Sequence, residues 1–411
     1  MSDIATAPAA GRDRRRAMFA ALDARSLGEA APLWLGAVRD IDDVLPAQPG
    51  LFDLVVLDEA SQIDQTAAAG ALLRAKRAVV CGDPRQLRHV SFISDDDMKR
   101  VNDTHLGPGH LGLDIRRESI FDVASRAGNG FQLDEHYRCD PHLIDFSARR
   151  FYQHSLHVAT ATPLNHDADH IEVRFVEGSR NDSKINGAQT TAAEQIVSDL
   201  IAEGVRSIGI ITPFRDQADA MTERILRTYR ADEIEDYGIA VGTVHAFQGA
   251  EHQVVIAMLT LGPEEAANSW RFVNDANLFN VMVTRARRRM IVLTSDPAPP
   301  GLAGEYLIHA DPLSRPQETV DHHRLWPSRV ASALADTNLD FWPNYYVGKH
   351  RVDFALIRNG RPTALTVEAH PHGPAAHAER ELALRRLGWD AIDGFESRWG
   401  ERLGELAVTL G

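Results

Sequence analysis

Short apolar runs alternate with longer amphipathic stretches through most of this 411-residue chain. Two early runs, Leu54–Leu57 and Ala78–Cys81, are each followed at once by polar and acidic residues. Five later runs are predicted to be strands: Ile171–Val176, Ile208–Ile211, Ile239–Val241, Val254–Leu259 and Met290–Leu293. Between them, apolar residues recur at helical spacing, first over 193–201 and then over 221–226. Strands that alternate with helices predict an α/β fold built on parallel sheets.

Changes in composition along the chain predict four segments. A first α/β unit is expected at 1–127 and a second at 128–300, where the regular alternation of strands and helices begins. Residues 296–316 are rich in proline and glycine, so a linker is predicted over 301–319. A small third α/β unit is expected at 320–411.

Overall composition is that of an ordinary globular protein, with 44% apolar and 25% charged residues. The formal net charge of −14 argues against a non-specific coat for nucleic acid, but it does not exclude a groove with a few well-placed donors. No apolar run reaches about 18 residues, so no membrane partner is expected. The two cysteines cannot form a disulfide framework, and a cytoplasmic location is expected.

Two neighbouring predicted strands end in residues suited to nucleotide chemistry. The first is followed by Asp58 and Glu59, and the second by Gly82, Asp83 and, three positions later, Gln86. A buried strand that ends in two carboxylates can present one to Mg²⁺ and the other to an attacking water. An amide on the next strand can approach the terminal phosphate of a nucleoside triphosphate.

The second unit carries further motifs in a fixed order. They are His136-Tyr137-Arg138, Ile211-Thr212-Pro213-Phe214, the run from Val241 to Glu251, and Asn280 to Arg287. Together with the first unit, these motifs resemble those of superfamily 1 helicases, and most closely the Upf-like branch. The resemblance covers roughly residues 30–295. It implies two RecA-like lobes on parallel sheets, the first truncated and the second complete, with ATP and Mg²⁺ as cofactors.

The resemblance implies catalytic roles for five residues. Asp58 would hold Mg²⁺, Glu59 would polarise the attacking water, and Gln86 would sense the γ-phosphate. Arg138 and Arg285 would act as arginine fingers that stabilise charge in phosphoryl transfer. Two structural alternatives remain open: an ion pair at Arg138, and a solvated basic helix that carries Arg285 and Arg287.

The resemblance also implies two sets of binding residues. The residues expected at the nucleotide are Gly82, Asp83, Gly249 and Glu251. Those expected to face single-stranded nucleic acid, with DNA favoured over RNA, are Thr212, Pro213, Thr243 and His245.

One departure from the family pattern concerns the phosphate loop. The loop sequence Gly-x-x-x-x-Gly-Lys-Ser/Thr does not occur in this chain. We therefore expect an N-terminal segment or a neighbouring protein to supply it, and we expect this chain alone to hydrolyse ATP poorly. Apolar strand faces near Val55 and Val79 are expected to lack cover.

The third unit resembles PD-(D/E)xK nucleases, a restriction-endonuclease-like fold, in the very-short-patch-repair-like variety. Asp353 and Glu368 fall on neighbouring predicted strands, and His370 stands where the family carries a lysine or an acid. The resemblance implies a Mn²⁺ or Mg²⁺ site at these three residues. The alternative is structural: Asp353 pairs with Arg351 or Arg361, and Glu368 caps its strand.

Three functions follow from these motifs. The leading one is a nucleic-acid-dependent ATPase and helicase with an appended nuclease-like domain. The second is a non-catalytic nucleic-acid-binding module whose nucleotide site has lapsed. The third is a metal-dependent nuclease that its helicase lobes dock onto the substrate.

Overall fold

The computed structural model describes residues 29, 31–91, 93–106, 114–165, 168–310, 325–337 and 339–410, without the side chains of 102 and 106. The chain divides into two compact units, Met1–Gln132 and Leu133–Gly411. The first boundary therefore falls five residues beyond the predicted one. No helix among the described residues is long and apolar enough to cross a membrane.

The first unit is built around two parallel strands. Strands β1 (Val55–Leu57) and β2 (Ala78–Val80) pair in parallel, with Val56 opposite Val79. Its α-helices are α1 (Ile41–Val44), α2 (Gln65–Leu73), α3 (Asp95–Val101) and α4 (Ile120–Ala127), with short 3-10 helices at Val38–Asp40 and Ala60–Gln62 and a π-helix at Asn102–Leu106. Because the strands are parallel, their carboxyl ends meet at one edge, which places Asp58 and Gly82 together.

One face of this small sheet carries exposed apolar side chains. Val56 and Val79 are 58% and 47% exposed, whereas Leu57 is buried in a core with Ala60, Ala68 and other residues. The predicted exposure of an apolar strand face is therefore confirmed at Val79. On β1 the exposed residue is Val56, whereas the sequence pointed to Val55, which is half-buried.

The second unit begins with a small parallel pair and continues into a five-stranded parallel sheet. The pair is β3 (Glu135–His136) with β4 (His157–Val158). The sheet strands are β5 (Ile171–Phe175), β6 (Ile208–Thr212), β7 (Ile239–Thr243), β8 (His252–Met258) and β9 (Ala286–Thr294), in the order β5-β9-β8-β6-β7. All five predicted strands and the parallel α/β fold are confirmed.

Helices cover this sheet and supply its core. They are α5 (Pro141–Arg150), α6 (Gly187–Ala202), α7 (Arg215–Thr228), α8 (Ala231–Tyr237), α9 (Ala267–Val273) and α10 (Ala276–Val283), with a 3-10 helix at Pro163–Asn165. Most of the apolar positions predicted from helical spacing in α6 and α7 pack against buried strand residues such as Ile210 and Ile256, but Leu226 is exposed. Strands buried on both faces read as nearly continuous apolar runs, which is why the sequence located them well.

The predicted linker over 301–319 is wrong in its first part. Residues Leu302–His309 form helix α11, and its Tyr306 is buried against the rings of Phe146 and Phe279, at centroid distances of 5.1 and 5.8 Å. The prolines and glycine around 297–301 masked the helical spacing of Leu302 and Tyr306. The linker residues 311–319 lie outside the described residues.

The C-terminal part has its own four-stranded sheet. Its strands are β10 (Phe341–Val347), β11 (His350–Arg358), β12 (Arg361–Thr366) and β13 (Asp390–Asp393), in that order, and only the β12–β13 pair is parallel. Its helices are α12 (Leu325–Ala335), α13 (Pro374–Arg386), α14 (Glu396–Trp399) and α15 (Leu403–Leu410). This part packs within the second unit, since Gly348 N donates to Val158 O at 3.0 Å and Lys349 pairs with Glu135 at 2.9 Å.

Candidate functional site

The two carboxylates that follow β1 lie at the carboxyl edge of the small sheet. Asp58 is exposed, and its Oδ1 accepts from Glu59 N at 2.9 Å. Glu59 adopts a left-handed conformation (φ 50°), and its Oε2 accepts from Gln62 Nε2 at 3.0 Å. A non-glycine residue in this region costs roughly 1–3 kcal/mol, and such strain is concentrated at functional sites. The turn therefore presents both acidic side chains at the strand end.

The loop after β2 is shaped by a glycine and an aspartate. A Cβ at Gly82 would lie 2.8 Å from the Phe121 ring and 3.0 Å from Ser61 N, so a side chain has no room there. Asp83 accepts from Arg85 N at 2.8 Å and from Gln86 Nε2 at 3.0 Å. Gln86 is thus held beside Asp83 at the edge that also carries Asp58. Its role as a phosphate sensor stays a prediction.

In the second unit, two arginines converge on one glutamate. Arg138 Nε pairs with Glu251 Oε2, and Arg287 pairs with Glu251 Oε1. Arg138 follows β3, Glu251 directly precedes β8, and Arg287 lies in β9, so three separate elements build this Glu251 cluster. The ion pair left open at Arg138 is present. Both guanidinium groups remain largely exposed, so an anion from solvent can reach them.

Arg285 is not part of the Glu251 cluster. Its residue is only 2% exposed, and its guanidinium donates to Val281 O at 2.9 Å, Ala250 O at 3.3 Å and Thr284 Oγ1 at 3.1 Å. These contacts join the end of α10 to the loop before β8, which is a structural role. The exposed arginine is Arg287, two residues on. The structure gives the expected arginine finger Arg285 a buried position, and it contradicts the alternative of a solvated basic helix, because Arg285 is buried and Arg287 lies in β9.

The residues expected at the nucleic acid differ in how deeply they are buried. Thr212 and Pro213 are buried, and the Thr212 hydroxyl lies 3.0 Å from that of Thr260. They support the edge of the sheet from within, so these two side chains do not face solvent, and their predicted contact with the single strand stays a prediction. Thr243, opposite Thr212 at the end of β7, is half-buried, and His245 is exposed. These two remain candidates for contact.

A buried polar network, which sequence reasoning missed, fixes the same edge. This edge network consists of Asn186, Gln189, Gln217, Thr260 and Ser295, all at most 2% exposed. Asn186 donates to Thr260 O at 3.1 Å and to Ser295 Oγ at 2.9 Å, and Gln217 Oε1 accepts from Asn186 N at 2.7 Å. Buried polar groups are tolerated when bonded in this way. Nothing in the local sequence pattern distinguishes these amides from surface residues.

Electrostatics around His136 follow from its packing. The ring accepts a hydrogen bond at Nε2 from Cys139 N at 2.9 Å, which requires an unprotonated nitrogen. Burial and the positive charge of Arg138 lower the pKa of His136 to about 4. A neutral His136 thus shapes the turn that carries Arg138. Burial likewise raises the pKa of the Cys139 thiol to about 12, so this thiol stays protonated.

In the C-terminal sheet, the predicted metal ligands do not assemble. Asp353 Oδ2 accepts from Val367 N at 2.8 Å and Glu368 N at 3.0 Å, and Oδ1 lies 3.6 Å from Arg351. His370 Nδ1 accepts from His372 N at 3.2 Å, and partial desolvation lowers its pKa. Asp353 therefore ties β11 to the segment after β12 and pairs with Arg351, as the structural alternative expected.

A different set of side chains does come together there. Over the described part of the chain, the one group of three or more potential ligands with their atoms within 4.8 Å of one another is His377, Glu381 and Asp393. We call it the His377 group. It contains none of Asp353, Glu368 and His370. His377 lies in helix α13.

The fold is a parallel α/β fold with acidic residues at a strand end, and comparisons with known proteins show which proteins it is similar to. Residues 116–297 match the family model described as an AAA domain. The helicase MG140 of Mycoplasma genitalium, described as uncharacterized and ATP-dependent, is 24% identical over 314 residues, covering 70% of this chain and 28% of that protein.

Two eukaryotic relatives extend the pattern. The ATP-dependent helicase upf1 of Schizosaccharomyces pombe is 26% identical over 262 residues, which is 59% of this chain and 26% of the relative. The DNA replication ATP-dependent helicase/nuclease DNA2 of Gallus gallus is 24% identical over 295 residues, covering 69% and 27%. The chain thus spans less than a third of the length of each of these three relatives. These matches support a superfamily 1 helicase-like protein.

Proposed function

We propose that this chain forms the catalytic edge and the second lobe of a superfamily 1 helicase, an ATPase that depends on single-stranded nucleic acid, with DNA favoured over RNA. The Glu251 cluster carries the proposal, because three motif residues from separate elements meet as a solvent-accessible group in which two arginines face one carboxylate. The phosphate loop, absent from these 411 residues, would come from an adjoining segment or a neighbouring protein.

The acidic pair after β1 fits a nucleotide–Mg²⁺ complex. Mg²⁺ prefers carboxylate oxygens and retains much of its water, and Asp58 offers an exposed carboxylate at a strand end. When bound, the ion neutralises phosphate charge. Glu59, held by Gln62, would orient and polarise the attacking water, while Gln86 would contact the terminal phosphate.

The Glu251 cluster suits a switch between two partners. Without nucleotide, Glu251 pairs with both Arg138 and Arg287 and offsets one of their two positive charges. A triphosphate carries more negative charge than one carboxylate, so it would draw the guanidinium groups away from Glu251 and gain bidentate hydrogen bonds. Fixed cations at transferring phosphate are a large source of rate in phosphoryl transfer. We therefore assign Arg138 and Arg287 to the nucleotide, and Arg285 to the structure beneath them.

Nucleotide binding and hydrolysis test the first half of the proposal. A fluorescent ATP analogue should bind the full chain weakly, and oligo-dT should stimulate whatever hydrolysis remains. Glu59→Gln should keep binding but abolish the residual turnover. The matched control is Asp53→Asn, which alters an exposed acid at the opposite end of β1 and should change neither. If the chain bound neither nucleotide nor nucleic acid, the proposal would be overturned.

Binding to nucleic acid is tested separately, since it needs no turnover. Fluorescence anisotropy with labelled oligo-dT and oligo-U should show binding that weakens in a Thr243→Val, His245→Ala double variant. Thr409→Val, at an exposed position of α15, is the control. Nucleic-acid binding without any response to nucleotide would favour the second candidate function, a binding module whose nucleotide site has lapsed. The absence of a phosphate-loop sequence from this chain supports that candidate.

A further inference from the structure

Three potential metal ligands meet where α13 crosses the carboxyl end of β13. His377 and Glu381 are four residues apart on α13, so their side chains lie on one helix face. Asp393 is the last residue of β13, opposite Thr366 of β12. One face of a helix and the end of a neighbouring strand thus bring one imidazole and two carboxylates to a single point.

The distances within the His377 group are close to those of a chelating set. His377 Nε2 lies 3.2 Å from Asp393 Oδ1 and 3.8 Å from Glu381 Oε1. The side chains of His377, Glu381 and Asp393 are 17%, 25% and 36% exposed, so the group is sheltered but open to ions from solvent. Two carboxylates held this close repel each other unless a cation or a proton lies between them.

One atom of the group stands out. Asp393 Oδ1 is shielded from solvent and accepts no hydrogen bond from any described residue, although His377 Nε2 is near. A buried acceptor without a partner costs about 1–3 kcal/mol. The backbone around it is fixed, since Asp393 O accepts from Trp399 Nε1 at 2.9 Å and Gly394 N donates to Thr366 O at 2.7 Å. The Asp393 carboxylate is therefore held close to the His377 ring, and its Oδ1 remains without a hydrogen bond.

We propose that the His377 group binds one divalent first-row cation, Zn²⁺ or Mn²⁺, through His377 Nε2, Glu381 Oε1 and Asp393 Oδ1. One nitrogen and two oxygens suit such borderline ions, and water from the open side would complete the coordination. The site is separate from the three residues expected from the nuclease resemblance. It also does not depend on the helicase activity proposed above.

Metal binding at the His377 group would break one hydrogen bond of Arg380. Its guanidinium donates to His377 Nδ1 at 3.2 Å, and also to Arg351 O at 3.2 Å and Thr366 Oγ1 at 3.4 Å. A cation on Nε2 moves the ring proton to Nδ1, so Arg380 must give up its first contact and keep the other two. Without a cation, the same three side chains would be held together by hydrogen bonds and ion pairs alone, and binding measurements distinguish the two cases.

Calorimetric titration of the full chain with Zn²⁺, and separately with Mn²⁺, tests the proposal. We expect one equivalent to bind to the wild type. His377→Ala and Asp393→Asn should each weaken binding about tenfold or more, because even outer-shell changes commonly cost 10–100-fold in metal affinity. Two controls should leave binding unchanged: His372→Ala, an exposed histidine outside the group, and Glu368→Gln, from the set expected by resemblance.

Thermal melting separates loss of the site from loss of the fold. Bound metal should raise the Tm of the wild type and of both controls, but not that of Asp393→Asn, whose side chain keeps its shape. Each variant must first melt cooperatively without metal. Absence of stoichiometric binding would overturn the proposal, and so would binding that survives in both His377→Ala and Asp393→Asn. The His377 group would then be a set of histidine–carboxylate contacts without a metal.

Discussion

At the scale of single residues, Glu251 shows how a site can be prepared before its ligand arrives. Each of its carboxylate oxygens pairs with a different arginine, and neither arginine is buried. Exposed ion pairs contribute only about 0–1 kcal/mol each, so they are easily exchanged for a stronger anion. By contrast, Arg285 is enclosed and bonded to backbone carbonyls, an arrangement that stabilises the fold but cannot be exchanged.

Arg285→Ala should destabilise the protein much more than Arg287→Ala does. The first change removes a buried side chain and takes the Arg285 donor from the Ala250 carbonyl, at about 1–3 kcal/mol for an unsatisfied group, whereas Val281 O keeps its bonds from Thr284 N and Oγ1. The second removes an exposed ion pair. Thermal unfolding followed by circular dichroism measures the difference directly. Equal Tm values for the two variants would show that Arg285 has no structural role.

Acid should weaken the fold through His136. Its pKa is about 4 in the folded chain and 6.5 in the unfolded chain, so below about pH 6.5 the unfolded state binds a proton that the folded state does not. This contribution to stability is complete above pH 6.5 and is lost progressively as pH falls to about 4. Urea unfolding at pH 8 and pH 4.5 should show a larger loss for the wild type than for His136→Gln. Parallel losses would refute the assignment.

At the scale of elements, the carboxyl edge of the five-stranded sheet depends on Asn186, which caps α6. Its Oδ1 accepts from Gln189 N at 3.1 Å, as an ordinary N-cap does, while its amide nitrogen bonds inside the edge network. The residue therefore joins the start of a helix to the ends of two strands. Thr260, in that network, has a positive φ of 70°, which the surrounding bonds maintain.

Asn186→Ala should destabilise the protein more than the loss of an ordinary helix cap. Asp275→Ala is the matched control, because Asp275 caps α10 from an exposed position by accepting from Asn277 N and Leu278 N. We expect about 1 kcal/mol for the control and roughly 2–4 kcal/mol for Asn186→Ala, which also leaves buried partners unsatisfied. Denaturant unfolding gives both values. A cost at Asn186 no larger than at Asp275 would mean that the edge network contributes little.

At the scale of the whole molecule, a net charge of −14 limits how nucleic acid can be held. The candidate contacts that remain accessible, Thr243 and His245, offer hydrogen bonds more than charge. Most acidic residues lie away from Thr243 and His245 in the sequence, but their combined negative charge repels a polyanion at long range. Binding should therefore depend on a few local contacts and not on a broad basic surface.

Binding of oligo-dT should depend only weakly on salt. Each neutralised phosphate of a single strand contributes about −0.7 to the slope of log K against log salt concentration, so two to four contacts give a slope of roughly −1 to −3. Anisotropy titrations between low and moderate salt measure it. The Thr243→Val, His245→Ala variant should lower affinity without altering the slope. A slope much steeper than this range would point to a basic surface elsewhere on the chain.

The sequence by itself determined the parts of this protein that depend on local pattern. The strands β6 and β8 are buried on both faces for most of their length, so their apolar runs mark them directly, and the acidic residues after β1 are marked by their position at a strand end. The Asp-Glu and Gly-Asp pairs at the strand ends could be recognised for the same reason, and so could the helicase-like order of the motifs. The resemblance they carried is supported by the AAA-domain match.

Only the tertiary structure decided which side chains of a motif face solvent and which distant residues meet. The sequence pointed to Arg285 as the functional arginine, yet Arg285 turns into the protein and Arg287, two residues on, reaches Glu251. Asp353 was expected at a metal and instead accepts two backbone N–H groups, while His377, Glu381 and Asp393 meet across a helix and a strand. Such contacts depend on how elements pack, because sequence spacing fixes neighbours within a helix or strand but not between them.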